Sequence, residues 1–347
     1  MSEGGARYVL GVDGGSTKTI ALVADQSGRI VGAARGPSSS CTTVNIAGPM
    51  AIVMQIVREA CEQARIDTAE ISAGVFGLSG ADWPEDHERR EAYLARAGVA
   101  RRVIVKNDAF VGLRAGTNAR FGVVIAAGTS CNVAAVAPDG REWHFGYYQD
   151  YGGASTVGRE AVRAVLHAED GRGRRTRLTD VVLHRLGFAS PELLLRALVA
   201  EQVPRSRIAE LCPIVFEAAF EGDEAATEIV VRQGIGLAEY ATALIRRFEM
   251  QRLAFDVVLA GSVFKGRGPL LIDTITQAIH RVAPSARLRR QRFEPAIGGV
   301  LLAYDALNTA VTAEMMATLA QTVPPPRFFD TTGGVEKDTP LSQKGDL

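Results

Sequence analysis

A pattern of strands and turns occurs twice in this chain, and the repeat limits the possible folds more than any other feature. The first copy spans 8–36 and contains the turns DGGSTKT and DQSG, while the second begins at Phe121 and contains the turns AGTSCN and PDG. Apolar runs separated by such turns predict three antiparallel strands in each copy. The copies lie about 112 residues apart, which indicates an internal duplication with one copy in each of two domains.

Segments with the periodicity of helices and buried strands follow each copy. After the first copy, a helix is predicted over 49–64, a strand over 71–78, a helix over 84–98 and a strand over 102–105. After the second copy, the predicted strand is 255–260 and the predicted helices are 156–168, 191–200, 208–220, 225–248, 269–282 and 295–307. The fold class is therefore α/β with mixed sheets, and the domain boundary is expected near 116–120.

Composition excludes several classes of protein. The chain has 347 residues, which suits two domains, and 39 Lys and Arg residues balance 39 Asp and Glu residues. A net charge of zero argues against a nucleic-acid or membrane partner. The four cysteines form no CxxC pair, no apolar run is long enough to span a membrane, and the N-terminus lacks a signal-peptide pattern. A cytoplasmic protein is expected.

The first Gly-rich turn has the residue types that bind phosphate. It follows a predicted strand and comprises Asp13 and then Gly14, Gly15, Ser16, Thr17 and Lys18. Glycine lets backbone N–H groups approach an anion, and the hydroxyl and ammonium groups add further donors. Because the turn leads into a strand and not a helix, it matches neither a P-loop nor a dinucleotide-binding motif. The alternative interpretation is an ordinary hairpin turn.

The corresponding turn of the second copy also has hydroxyl side chains, on Thr129 and Ser130. Two such turns, one in each domain, would clamp the triphosphate of ATP together with Mg²⁺. Asp13 is the predicted metal residue and would act through water, because Mg²⁺ loses its hydration shell reluctantly. The alternative is that Thr129 and Ser130 only build the turn.

Asp108 ends a predicted strand and precedes AFVGLRAG. As a general base it would accept the proton of a substrate hydroxyl and orient that oxygen toward the γ-phosphorus, which is most of what phosphoryl transfer requires. The alternative role is the N-cap of the next helix.

Two further segments of small residues have two interpretations each. Gly261 and Ser262 link a strand to a helix, and they suit either an adenosine contact or a plain tight connection. Gly298 and Gly299, near the start of a predicted helix, suit close helix–helix contact, and by themselves they are only a weak marker of function.

Six motifs, taken in order, resemble those of N-acetylglucosamine kinases. They are GVDGGSTKT, GLSGAD, the NDA around Asp108, the GTS turn, LAGSVFKG and PAIGGVLLAY, and they cover roughly 8–308. These kinases share a family with the ATPases that activate benzoyl-CoA reductase and 2-hydroxyacyl-CoA dehydratase. The resemblance implies a duplicated actin-like (ribonuclease H-like) fold, with ATP, Mg²⁺ and an amino sugar in a cleft between two domains.

The resemblance also implies domain limits and residue roles. The small domain is expected over 1–117 with a returning helix at about 310–321, the large domain over 118–308, and a disordered tail over 324–347. Asp108 matches the catalytic base. The matched ATP contacts are Gly14, Gly15, Ser16, Thr17, Thr129, Gly261, Ser262 and Gly298. The sugar pocket is expected to include Ser79, Gly80, Asp82, Asp108, Cys131, Asn132 and Asp150. The apolar helices of the large domain suggest a homodimer.

The sequence departs from the family pattern near the γ-phosphate and the sugar. Ser130 stands where a glycine is usual, and Tyr151 replaces an acidic residue beside Asp150. Two alternatives to a kinase therefore stay open, a catalytically weak or silent ATP- and sugar-binding regulator and an ATPase activator of a partner enzyme. The activator would need cysteines set to hold an iron–sulfur cluster, and none of the four has a matching setting.

Overall fold

Two five-stranded mixed sheets with the same strand order form the framework of the protein. The computed structural model describes residues 8–41, 44–147 and 152–330. The first sheet has the order β3-β2-β1-β4-β5 and consists of β1 (Tyr8–Gly14), β2 (Thr19–Asp25), β3 (Ile30–Gly36), β4 (Ile71–Leu78) and β5 (Arg102–Lys106). The second has the order β8-β7-β6-β9-β10 and consists of β6 (Gly122–Ala127), β7 (Cys131–Val136), β8 (Glu142–His144), β9 (Asp256–Ala260) and β10 (Arg287–Arg290).

The pairing of the strands repeats as well. In each sheet the first three strands in sequence pair antiparallel, and the other two are parallel to the central strand, β1 or β6. This confirms the duplicated α/β fold that the repeated turns predict.

Helices surround and separate the two sheets. They are α1 (Ala47–Ala64), α2 (Pro84–Arg96), α3 (Asp108–Gly116), α4 (Ala154–Glu169), α5 (Leu178–Leu186), α6 (Pro191–Val199), α7 (Arg205–Ala209), α8 (Cys212–Phe220), α9 (Glu224–Arg247), α10 (Leu270–His280), α11 (Pro295–Ala306), α12 (Ala313–Thr322) and α13 (Pro326–Phe329). The prediction of one helix over 208–220 is wrong, because α7 ends before α8 begins. Pro213 lies in the first turn of α8 and has no N–H with which to continue the preceding helix. No helix in the described ranges is long and apolar enough to cross a membrane.

Two helices lie between the sheets and connect them. α11 packs against β1 and β4 on one side and against α3 on the other, and α3 in turn packs against β6, β7 and β9. Val9 and Val75 of the first sheet share a core with Ile297 and Leu301 of α11. The layers are therefore first sheet, α11, α3 and second sheet, with α1 and α9 covering the outer faces.

The last described residues return to the first sheet. α12 contacts β3, and Phe329 of α13 is buried in the same core as α11. The expectation of disorder from residue 324 onward is therefore wrong for 324–330, because the aromatic pair Phe328 and Phe329 supplies apolar surface that packs. The rest of the predicted tail, 331–347, lies outside the described residues.

Candidate active site

The predicted functional residues lie at the carboxyl ends of the parallel strands. Asp13 and Gly14 end β1, Ser79 follows β4, and Asp108 lies just beyond β5. In the second sheet, Gly128 follows β6 and Gly261 follows β9. Because the carboxyl ends of neighbouring parallel strands meet at one edge of a sheet, this arrangement gathers residues that are far apart in sequence.

Asp108 is the first residue of α3 and is free of a capping role. The side-chain oxygen of Asn107 accepts the hydrogen bond from Ala109 N at 3.0 Å, so Asn107 is the N-cap and the alternative assigned to Asp108 is wrong. Burial, followed by the charge of Asp82, raises the pKa of Asp108 to about 6. A carboxylate with a pKa just below neutrality is suited to general base catalysis.

Asp13 is a buried carboxylate at the end of β1, 9% exposed. Burial, followed by the charge of Asp108, raises its pKa to about 7, whereas the nearby Lys18 lowers it and Glu294 raises it. The carboxylates of Asp13, Asp108 and Glu294 repel one another, and a cation bound near Asp13 would relieve that repulsion. In the described part of the chain, no three His, Cys, Asp or Glu side chains are grouped to hold a metal. One buried carboxylate close to a second acidic group fits Mg²⁺, which keeps several waters and is usually bound through one or two carboxylates and substrate phosphates.

The first Gly-rich turn closes by a backbone hydrogen bond from Gly15 N to Lys18 O at 2.9 Å. Ser16 and Thr17 lie exposed at its tip. Gly14 is buried, and a β-carbon there would lie 2.5 Å from Ser39 Oγ, so packing alone requires a glycine. The ammonium group of Lys18 donates to the backbone oxygen of Phe329. Lys18 therefore anchors the C-terminal segment, a role that the sequence did not indicate.

The corresponding turn of the second sheet, which begins at Gly128, is fixed on the N-terminus of α4. Gly128 N donates to Ser130 O at 2.9 Å, and the first N–H groups of α4, on Ala154 and Ser155, donate to Gly128 O and Thr129 O at 2.8 and 3.0 Å. Thr129 and Ser130 remain exposed, so the serine that departs from the family pattern does not disrupt the turn.

The turn after β9 packs against the same place. Gly261 has a φ of +98°, and a β-carbon there would lie 2.4 Å from Ala127 O. Only glycine satisfies both conditions, and its neighbour Ser262 is exposed next to the turn that begins at Gly128.

A chain of polar side chains joins the two sheets beside Asp108. Asn132 donates to Asn107 Oδ1 at 2.8 Å, and Asn107 donates to Asp82 Oδ1 at 2.9 Å. Asn132 Oδ1 is buried and has no hydrogen-bond partner among the residues that the structure describes. A buried acceptor without a partner is costly, so it is a natural contact for a hydroxyl or amide N–H of a ligand.

His144 and a pair of aromatic rings extend this connection. Gly146 N donates to His144 Nδ1 at 3.2 Å, so Nε2 carries the proton and donates to Asp82 O, also at 3.2 Å. Burial lowers the pKa of His144 and keeps the ring neutral. The rings of Trp83 and Tyr147 stack with their centroids 4.6 Å apart. Polar and aromatic contacts thus join the two sheets beside Asp108.

Buried Arg90 holds the segment that contains Ser79, Gly80 and Asp82. Its guanidinium donates to Gly80 O at 2.8 Å and to Cys41 O at 2.7 Å. Ser79 N donates to Gly14 O at 2.9 Å, so this segment is attached to the first Gly-rich turn as well.

Two predicted site residues, Cys131 and Gly298, are buried in the packing of the protein. Cys131 is buried in the core of the second sheet, because side chains alternate along β7 and Asn132 takes the cleft side. Gly298 is buried against α3, where a β-carbon would lie 1.8 Å from Val111 O, so helix packing by itself requires a glycine here. Asp150 and Tyr151 lie outside the described residues. Asn107, His144, Arg90 and the pair Trp83–Tyr147 were not predicted, although Asn107 stands at a recognisable N-cap position.

Two sheets of ribonuclease H-like topology with glycine- and hydroxyl-bearing turns at their facing edges define the actin-like class of nucleotide-binding proteins. The model of the BadF/BadG/BcrA/BcrD ATPase family matches residues 10–303, and the chain belongs to that family.

Curated relatives and a solved structure align along most of the chain. An N-acetyl-D-glucosamine kinase of Dictyostelium discoideum is 27% identical over 311 residues, which is 85% of this chain and 97% of that protein. An N-acetylmuramic acid/N-acetylglucosamine kinase of Clostridium acetobutylicum is 26% identical over 304 residues, covering 86% and 98%. A Chromobacterium violaceum protein solved as a candidate N-acetylglucosamine kinase has the same fold, with a TM-score of 0.66, 24% identity and coverage of 86% and 99%.

Proposed function

We propose that this protein transfers the γ-phosphoryl group of ATP to a hydroxyl of N-acetylglucosamine or a closely related amino sugar. The observation that carries the proposal is Asp108, a carboxylate with a pKa near 6 at the start of α3, beside the unpartnered acceptor of Asn132. The two relatives described above are named as kinases of N-acetylglucosamine and N-acetylmuramic acid, which supports an amino sugar as the substrate here.

In the proposed reaction the chain's own groups mainly orient the substrate and take up a proton. Asp108 accepts the hydroxyl proton while that oxygen forms a bond to the γ-phosphorus and the bond to the β-phosphate oxygen breaks, so that ADP leaves. Asn132 Oδ1 accepts from a sugar hydroxyl or from the amide of an acetamido group. Donors for the phosphates come from the exposed tips of both turns, Ser16, Thr17, Thr129 and Ser130. Mg²⁺, held near Asp13 through water, would neutralise phosphate charge.

The burial of the cysteines favours the kinase over an ATPase activator. Cys41, Cys61, Cys131 and Cys212 are all buried. A cluster shared at a dimer interface needs thiolates that reach the surface, whereas burial raises the pKa of Cys131 and of Cys212 to about 12.

The test is release of ADP with ATP and Mg²⁺ in the presence of N-acetylglucosamine, glucosamine, N-acetylmannosamine, N-acetylmuramic acid or glucose. Release that depends on an amino sugar, together with a phosphorylated sugar in the products, supports the kinase. Release without any sugar would identify an ATPase, and ATP binding without release would identify a silent regulator. Because the reaction consumes ATP, we place it in the cytoplasm, and activity confined to a membrane or extracellular fraction would contradict that.

The proposed base gives a pH dependence that can be tested. Asp108 must be ionised to accept a proton, so kcat/KM is expected to fall about tenfold per pH unit below a pKa near 6. The negative charge of Asp82 helps to raise that pKa, so Asp82→Asn should move the acidic limb of the profile to lower pH. Asp139→Asn, at an exposed turn, is the control and should leave the limb in place. If the acidic limb of the kcat/KM profile stayed in place in Asp82→Asn, a group other than Asp108 would be responsible for that limb.

We also propose that the protein is a homodimer that associates through α5 and α6. Val181, Leu193, Leu195 and Val199 are 40%, 47%, 45% and 77% exposed, which is unusual for apolar side chains on neighbouring helices. Sedimentation velocity is expected to give twice the chain mass, and Val199→Glu should shift the equilibrium to monomer. A wild-type protein that sediments as a monomer at micromolar concentration would contradict this proposal.

A further inference from the structure

A cavity lined by arginines lies at the opposite end of α3 from Asp108. Its volume is about 320 Å³, and its walls come from the α3–β6 connection, from β9 and β10, and from α11 and α12. The charged residues that line it are Arg114, Asp256, Arg287, Arg289 and Arg292. We call it the arginine cavity. α3 has nine residues, so the cavity is roughly 12 Å from Asp108 along the helix axis and is separate from the candidate active site.

Alternation along β10 directs two arginines into this cavity. Leu288 packs against the core of the second sheet, and Arg290 donates to Phe264 O, so these two residues take the other face of the strand. Arg287 and Arg289 take the cavity face, where the Nε of each donates to Asp256 Oδ1, at 3.1 and 2.9 Å. The two side chains are 57% and 53% exposed, so their terminal Nη groups are accessible from solvent. Both guanidinium groups are therefore oriented through Nε while their remaining donors are available.

The charges of the cavity do not balance. Arg114 is paired with Asp305 at 2.8 Å, so its charge is neutralised outside the cavity. The remaining three arginines, Arg287, Arg289 and Arg292, lie around one carboxylate, that of Asp256, which leaves an excess of two positive charges. Asp256 also accepts a hydrogen bond from Thr117 Oγ1 at 2.7 Å. Although burial opposes its ionisation, the hydrogen bonds from Thr117 and Arg289 keep the pKa of Asp256 below its usual value. Asp256 therefore orients the arginines but cannot neutralise them.

We infer that the arginine cavity binds a small phosphomonoester, with its dianionic phosphate on the Nη groups of Arg287 and Arg289 and close to Arg292. The planar, forked guanidinium donors match the oxygens of a phosphate, and a phosphate monoester carries close to two negative charges at neutral pH. The organic part of the ligand lies against the apolar lining, which Phe293, Leu301 and Met316 provide.

The inferred site goes beyond the proposed kinase and would link it to phosphorylated metabolites. The ligand would touch Thr117 and Ala119, in the connection between the two sheets, as well as Met316 of α12. A molecule bound there contacts elements attached to both sheets at once.

Isothermal titration calorimetry with glycerol 3-phosphate and with glucose 6-phosphate tests the inference. Saturable binding with a Kd below about 1 mM is expected for at least one of them, and glycerol and glucose should give no signal. Arg289→Gln and Arg287→Gln should each weaken binding about tenfold or more, and the double variant should abolish it. Arg289→Lys should retain part of the affinity, because the charge remains while the fork is lost.

Two variants separate this site from the active site and from non-specific effects. Arg281→Gln, at the exposed end of α10, removes a charge of the same kind and should bind the phosphomonoester as the wild type does. Asp108→Asn should also bind it normally. Absence of saturable binding would overturn the inference. Binding that survives in the Arg287→Gln/Arg289→Gln double variant, or that saturating ATP abolishes, would place the anion elsewhere and would overturn it too.

Discussion

Replacing Asp108 by asparagine is expected to lower kcat by about 10²- to 10⁴-fold, the range that a positioned general base contributes. Asparagine has nearly the same shape, and the N-cap of α3 is the neighbouring Asn107, so the helix and the fold should persist. The affinity for ATP should stay within about twofold, because the two turns that we propose to bind phosphate are untouched. A group that acts in the transition state also alters turnover more than ground-state binding. Stopped-time assays of ADP and sugar phosphate, with ATP binding measured separately, give both quantities.

The matched control is Asp139→Asn, which changes the same functional group at an exposed turn far from the cleft. It should retain the wild-type kcat. If Asp108→Asn turned over at near the wild-type rate with amino sugar and ATP, Asp108 would not be the base, and the orientation of the sugar by Asn132 and the charge of Mg²⁺ would have to account for the rate.

The second large effect is expected on stability, from Gly298→Ala. Gly298 of α11 meets the backbone of α3, and an added β-carbon would lie 1.8 Å from Val111 O and 2.8 Å from Ala115 N. Both neighbours are backbone atoms and cannot rotate away, so the two central helices would have to move apart. We expect a loss of about 3 kcal/mol in the free energy of unfolding, at the upper end for overpacked sites, measured by urea denaturation.

Gly112→Ala is the corresponding control on α3. A β-carbon at Gly112 meets no atom within 4 Å, so the substitution adds the helix propensity of alanine without a clash. It should be neutral or stabilise the protein by up to about 1 kcal/mol. If Gly298→Ala proved as stable as Gly112→Ala, α11 and α3 would not be in backbone contact in solution.

The repeated turns predicted the two sheets because a hairpin is a local structure that its own residues specify. Strand β10 was not predicted, since the sequence RLRR in 287–290 has too few apolar residues to show a strand pattern. It forms because β9 offers an open parallel edge, and that edge is a property of the assembled sheet.

The candidate site was predictable where a residue's role is local, and not where it depends on a distant neighbour. Asp13 and Asp108 follow strands that can be recognised in sequence, so their position at a sheet edge could be expected. The burial of Cys131 could also have been predicted from the sequence, because Val133 and Ala135 follow it at spacings of two on the same strand and are core residues. The packing of Gly298 on α3 and the contact of Lys18 with Phe329 join residues that only the tertiary structure brings together.

Because α11 packs on the first sheet, the core of that sheet can be completed only after α11 has been synthesised. Val75 shares its core with Ile297, and about 220 residues separate them in sequence. The core of the second sheet, in contrast, is drawn from one continuous stretch between 121 and 288. We therefore expect the core of the second sheet to fold first on the ribosome. One apolar face of the first sheet would stay exposed to solvent until α11 has emerged. Chaperone binding to nascent chains should consequently fall sharply only once residues beyond α11 have left the exit tunnel.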